Sequence, residues 1–144
     1  MGIADILFKK KQAQAQQNLE EGLQFLENNK KQENVVSLES GAQYLILKEA
    51  DGNKPKIHQK VCCHYHGTLI NGTVFDSSVQ RGQPATFPLN AVIKGWTEVL
   101  QLMPKGSKWR LFLPAHLAYG DRQVGTHIDP NSTLIFDVEL LEIY

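Results

Sequence analysis

Asn90-Ala-Val-Ile-Lys-Gly-Trp-Thr-Glu-Val-Leu100 is the stretch on which the fold turns. Its apolar residues fall at Val92, Trp96, Val99 and then Met103, with Ile93 and Leu100 alongside. This spacing predicts a helix with one stripe against a core. The helix is short, because Pro104 and Gly106 follow at once and proline cannot continue a helix interior. Trp96 then sits on the buried face of a single short helix among strands, where it either fills the core or floors a pocket.

Working outward, the flanks read as strands. Tyr44 to Leu47 is an apolar run closed by Asp51-Gly52-Asn53. In Lys60 to Gly67, Val61, Cys63 and Tyr65 share one face, and Cys62, His64 and His66 the other. Asn71-Gly72, between Thr68-Leu69-Ile70 and Thr73-Val74-Phe75, signals a hairpin with a type I′ turn. Ala85 to Leu89 carries Phe87, and Ser107 to Leu113 alternates Trp109, Leu111 and Leu113. Pro114 to Asn131 is a long loop. Thr133 to Ile143 closes the chain, with Leu134, Phe136, Val138 and Leu140 inward and Asp137 and Glu139 outward. The expected class is α+β: a curved antiparallel sheet of five or six strands, a half barrel, wrapped around the short helix.

Residues 1–33 have helix composition, rich in Lys, Gln, Ala, Leu and Glu and free of proline. Leu19, Leu23 and Leu26, extended by Phe25, make an apolar stripe that lapses between Lys9 and Asn18. A helix polar all round for two turns suits a projecting stalk, a partner interface or a solvated helix with a loose end. The expected division is 1–33 as a helical extension and 34–144 as the main domain, joined by a polar linker from Asn28 to Asn34.

Charge excludes several classes. Lys+Arg and Asp+Glu number 15 each, so there is no general attraction to nucleic acid. No apolar run approaches the ~20 residues that span a bilayer, so no membrane insertion is expected. The Ile3–Phe8 stretch is too short for a secretory signal, and Lys9-Lys10-Lys11 follows it instead of preceding it. The chain as written is expected in the cytoplasm, and a mature or trimmed form in the periplasm. Cys62 and Cys63 are adjacent, point to opposite faces and fit a reducing compartment.

Ser77 and Ser78 lack the G-x-S-x-G elbow of a hydrolase, and no phosphate or dinucleotide fingerprint is present. Along one strand face, neighbours among Cys62, His64 and His66 would have Cα atoms ~6.5–7 Å apart and the outer pair ~13 Å, so all three cannot bind one metal and at most His64 and His66 could form a weak adventitious site. No metal and no cofactor are expected. The inward-facing Tyr65, Phe75, Phe87 and Phe136 would instead meet the helix that bears Val92, Ile93 and Trp96. Asp76, at the rim, is either a solvated turn residue or the hydrogen-bond partner of Tyr65 or Arg81.

Five blocks follow a family order: Tyr65-His66-Gly67, Gly72 to Ser78, Val92-Ile93-Lys94-Gly95-Trp96, Pro114 to Gly120, and Leu134 to Leu141. Over residues 38–144 the chain resembles FKBP-type peptidyl-prolyl cis-trans isomerases. Its N-terminal part is similar to the helix preceding that domain in bacterial proteins of the macrophage-infectivity-potentiator type. The resemblance implies a pocket with Trp96 as floor and Tyr65, Phe75, Val92, Ile93, Tyr119 and Phe136 as walls. It places Ile128 in a flap, Asp76 and the Tyr119 hydroxyl as polar groups, the Ile93 N–H as a ligand donor, and Arg81 beside Asp76. Tyr65, Phe75, Asp76, Trp96, Tyr119 and Phe136 are the implied catalytic residues, and Arg81, Phe87, Val92, Ile93 and Ile128 bind substrate. Ala85 stands where eukaryotic relatives often have a phenylalanine, as it does in many bacterial members, and Asp121 to Asp129 lacks the His-Pro-Gly of the small human-type domain.

The implied activity is acceleration of X–Pro rotation in protein folding by non-covalent stabilisation of a twisted amide. The implied partners are proline-containing polypeptides and tacrolimus- or rapamycin-like macrolides. The alternative is a chaperone or peptide-binding module with incidental isomerase activity. The N-terminal helix is expected to form a homodimer through Leu19, Leu23 and Leu26, against the alternative that it lies on its own domain.

Overall fold

The computed structural model describes residues 2–144. Its sheet is antiparallel throughout, with seven strands: β1 (Val35–Ser37), β2 (Gln43–Lys48), β3 (Lys60–Leu69), β4 (Val74–Ser77), β5 (Ala85–Pro88), β6 (Lys108–Leu113) and β7 (Leu134–Ile143). The order is β1-β2-β6-β7-β3-β4, and β5 pairs with the other end of β3. This is the expected curved α+β half barrel. The strand beyond the expected six is the short β1.

Period-two patterning places the core. On β3, Val61, Cys63, Tyr65 and Gly67 are buried while Cys62, His64 and His66 are half-buried on the other face. On β7, Leu134, Phe136, Val138 and Leu140 are buried. Both rows face the helix α3 (Lys94–Leu100), which buries Trp96, Val99 and Leu100.

The central helix differs from the sequence expectation. Asn90 to Leu100 is not one helix: a 3-10 turn spans Leu89–Ala91, Val92 and Ile93 are extended, and α3 begins at Lys94. Two adjacent β-branched residues resist helix, and Thr97 donates its hydroxyl to Leu89 O at 2.7 Å across the break. Val92 and Ile93 thereby both reach the pocket wall.

The hairpin differs too. Only Gly72 has positive φ, at 92°. Gly72 N–H donates to Leu69 O and Leu69 N–H to Thr73 O. This is a three-residue loop with glycine at its left-handed position, where a type I′ turn would also need Asn71 at positive φ.

The helix α1 runs unbroken over Ile3–Asn29, so it takes in the first two residues of the expected linker, Asn28 and Asn29. Its C-terminal half lies on the outer face of the sheet. Gly22, Leu26 and Asn29 are its buried residues, and Phe25 packs on Phe112 with ring centroids 6.1 Å apart. Asn29 donates to Gln43 Oε1 at 2.8 Å, and Gln43 donates to Leu26 O at 2.9 Å. This cover buries Phe112 and Gln43, the β6 and β2 residues that strict alternation would turn to water.

The stripe expected to pair two copies is thus divided. Leu26 is 7% exposed against the chain's own domain, Leu19 is half-buried, and Leu23 is 54% exposed. A Cβ on Gly22 would stand 2.2 Å from Thr133 Oγ1, so the absence of a side chain sets how closely the helix approaches.

Candidate active site: an aromatic pocket over Trp96

Four aromatic rings converge because four elements turn a side chain toward one place. Trp96 comes from α3, Tyr65 from mid-β3, Phe87 from β5 and Phe136 from β7. The indole of Trp96 is 4% exposed. Tyr65, Phe87 and Phe136 stand edge-on to it at centroid distances of 5.5, 5.6 and 5.4 Å, with interplanar angles of 80°, 85° and 86°. Phe75 stands edge-on to Phe136 at 5.5 Å. Each edge-to-face pair adds about 0.5–1.5 kcal/mol beyond its buried area and fixes the ring orientations. Gly67 gives Phe75 its room: a Cβ there would lie 2.6 Å from the Phe75 ring.

These residues enclose a cavity of about 300 Å³ together with Asp76, Ala91, Val92, Ile93 and Tyr119. The predicted floor and walls therefore come together. Ile128 does not line this cavity. It is buried in an adjoining one of about 320 Å³, under the loop Val124 to His127, which shares Phe75, Asp76 and Tyr119 with the first. Arg81 sits behind Asp76, outside the lining. The sequence reading missed Ala91, whose small side chain carries no pattern signal.

The polar rim is a three-way lock. Tyr65 Oη donates to Asp76 Oδ2 at 2.6 Å, Arg81 Nη2 donates to Tyr65 Oη at 3.0 Å, and Arg81 Nη1 is paired with Asp76 Oδ1. Burial alone would raise the Asp76 carboxyl. The hydrogen bonds from Tyr65 and Arg81 outweigh it and hold the group below the usual carboxylate range. Burial, then the bond to Asp76, pushes the Tyr65 phenol upward. Arg81 owes its place to α2 (Ser78–Arg81), which Ser77 caps by accepting from Gln80 N–H at 3.2 Å.

Ser78 is a supporting residue that the sequence reading passed over. Its Oγ, fully buried, accepts from Tyr65 N–H at 2.7 Å and lies 3.2 Å from Tyr65 O. The hydroxyl replaces a strand partner where β4 turns into α2.

Ile93 and Tyr119 line the cavity, and neither the Ile93 N–H nor the Tyr119 hydroxyl has a hydrogen-bond partner among the described residues. The buried Trp96 Nε1 also has none. His64 Nδ1 lies 2.9 Å from Ser78 Oγ, and His66 Nδ1 lies 2.8 Å from Ser77 Oγ. No group of three metal-ligating side chains occurs among the described residues, and none of their helices is long and apolar enough to cross a membrane.

A half-open antiparallel sheet closed by a short helix, with an aromatic cleft at the mouth, defines an α+β half barrel with an open apolar pocket. The comparisons with known proteins agree and are more specific. Residues 51–141 match the family described as FKBP-type peptidyl-prolyl cis-trans isomerase, and residues 3–46 match the domain amino terminal to it. The chain belongs to the FKBP-type peptidyl-prolyl cis-trans isomerase family. It is 56% identical over 123 residues to the FKBP-type 22 kDa peptidyl-prolyl cis-trans isomerase of Escherichia coli, covering 85% of this chain and 60% of that one. It is 51% identical over 129 residues to the outer membrane protein MIP of Legionella longbeachae, covering 90% and 55%. The crystal structure of FkpA from Escherichia coli superposes with a TM-score of 0.90 at 41% identity, over 94% of this chain and 63% of that chain. The chain thus spans about half to three fifths of the length of these curated relatives.

Proposed function

We propose that the chain is a peptidyl-prolyl cis-trans isomerase acting on exposed X–Pro bonds of unfolded polypeptides. The observation that carries this is the cavity itself. It is mostly apolar, at about 300 Å³ roomy enough for a proline ring with its flanking residues, floored by Trp96, and rimmed by one locked carboxylate, with Ile93 and Tyr119 in its lining.

The mechanism follows from amide physics. Twisting the peptide bond destroys resonance, at a barrier of ~18–20 kcal/mol. The twisted amide has less charge separation than the planar one, so it tolerates an apolar site better. Trp96, Phe75, Phe87 and Phe136 hold the proline ring. The Ile93 N–H and the Tyr119 hydroxyl donate to the substrate carbonyls. Asp76, kept ionised by Tyr65 and Arg81, fixes the Tyr65 wall and presents a negative edge to the rotating amide. Each ~1.4 kcal/mol of preference for the twisted form is worth tenfold in rate. No nucleophile, metal or cofactor enters. A proline-peptide isomerisation assay tests this, and no acceleration by the purified chain overturns it.

The same apolar walls suit tacrolimus- or rapamycin-like macrolides, which should compete with peptide for the pocket. The exposed Ile3, Ile6, Leu7 and Phe8 on α1 favour two further readings. One is a homodimer joined through this segment and Leu23, tested by solution mass. The other is chaperone-like holding of unfolded chains, tested by suppression of aggregation that persists in an Asp76→Ala variant. The unpaired thiols Cys62 and Cys63 suit a reducing compartment, which supports the cytoplasm for the chain as written, with the periplasm for a mature or trimmed form. Cell fractionation checks the assignment.

A further inference from the structure

The loop between Tyr119 and Thr133 has its base tied to α1. Asn131 has a left-handed backbone, φ 61°. Its N–H donates to Gly120 O at 2.8 Å, which joins the two ends of the loop next to Tyr119. Its side-chain Nδ2 donates to Ala15 O on α1 at 3.1 Å. The helix reciprocates from its next turn, where Asn18 Nδ2 donates to Pro130 O at 3.0 Å. Gln14 Nε2 donates to Asn18 Oδ1 at 2.8 Å and so orients that amide. One residue, Asn131, therefore connects the N-terminal helix directly to the turn that presents the Tyr119 wall.

We propose that Asn18 and Asn131 are positioning residues through which α1 fixes the flap and the Tyr119 wall, so that the N-terminal helix sets the pocket's affinity for substrate. The affinity half of this rests on the isomerase reading above.

The helix does not need these two bonds to stay docked. Gly22 against Thr133, Phe25 on Phe112, buried Leu26 and the Asn29–Gln43 pair already hold it further along. The loop does need them. Its tip is closed by the mutual backbone bonds of Val124 and Ile128, at 2.8 and 3.2 Å, and by Gln123 Nε2 donating to Gly125 O at 3.1 Å, all within the loop itself, and its one buried anchor is the apolar Ile128. A loop joined at its ends by one main-chain bond can still pivot as a unit about that joint. The amide bonds to α1 remove the pivot. A loop that closes over a binding site shows in affinity before it shows in the bond-making geometry.

The test uses the full chain and three variants. Asn131→Gly keeps the left-handed backbone and the bond to Gly120 but loses the tie to α1. Asn131→Asp keeps the shape and replaces the donor by a carboxylate. Asn18→Ala removes the reciprocal bond. Hydrogen exchange at the Val124 and Ile128 amides and steady-state kinetics on a proline peptide are measured where melting curves show every variant folded. The expected result is about 3–10-fold faster exchange at those two amides, with β3 and β7 unchanged, and a KM raised about 3–10-fold at near-constant kcat. Wild-type exchange at Val124 and Ile128 in both Asn131→Gly and Asn18→Ala overturns the proposal, and so does faster exchange with an unchanged KM. If the unaltered chain shows no isomerase activity, the functional reading fails on its own, and the exchange rates still decide whether α1 holds the flap.

Discussion

Tyr65 and Asp76, on neighbouring antiparallel strands, are joined by a 2.6 Å hydrogen bond from phenol to carboxylate at the mouth of the cavity. Arg81 closes the arrangement from behind, so removing any one member leaves the others mis-set. Asp76→Ala is expected to lower kcat/KM about 10-fold, and Tyr65→Phe about 3-fold, because Phe keeps the wall and loses only the donor. Proline-peptide kinetics on folded variants check this, and wild-type rates in Asp76→Ala would remove the carboxylate from the mechanism.

The same bond predicts a flat pH window with two edges. Asp76 is held below its ordinary value of about 3.9, so its contribution is present above that pH and is lost as pH falls through the lower folded value. Tyr65 is held above about 10, so its contribution is present below that pH and is lost as pH rises through the raised value. Near-ultraviolet circular dichroism of the aromatic cluster should stay constant between about pH 5 and 9 and change outside it. A transition centred near neutrality would contradict the lock.

Docking of α1 depends on a missing side chain. Gly22→Ala would force a Cβ against Thr133, and the helix must shift outward. Overpacking of this kind costs about 1–3 kcal/mol. A thermal melt should fall accordingly, whereas Leu23→Ala, on the exposed side of the same turn, should change monomer stability little.

The two thiols should separate cleanly. Burial, with a smaller push from Cys62, drives the Cys63 thiol up to about 12, and thiolate is the reactive form. A thiol reagent near pH 8, well within the folded range, is expected to label half-buried Cys62 alone, and both thiols in denaturant. Native labelling of Cys63 would mean that β3 opens more readily than its central place in the sheet implies.

These features were unequally legible in the sequence. The inward row Val61, Cys63 and Tyr65 and the row Leu134 to Leu140 follow from a period of two, and each landed on the core face. Asp76 and Arg81 were readable as partners because the family resemblance puts an arginine beside that carboxylate. Backbone events left no such trace. The break at Val92–Ile93 and the negative φ of Asn71 depend on what packs around them, so helical spacing and an Asn-Gly pair misjudged both. On α1, three leucines drew the stripe through Leu23. Gly22 and Asn29 have no hydrophobic signal, yet it is their face that meets the sheet.

β7, residues Leu134–Ile143, lies in the middle of the sheet between β6 and β3 although it comes last in sequence. Its partner β3 begins at Lys60, and the β3–β7 ladder joins the two halves of the half barrel. Such distant pairing makes folding slow, because loop closure precedes any reward. On the ribosome, the halves on either side must wait, unjoined, until those ten residues clear the exit tunnel. A stalled chain ending before Leu134 should therefore be protease-sensitive, and the aromatic pocket should appear only once Leu134–Ile143 has emerged.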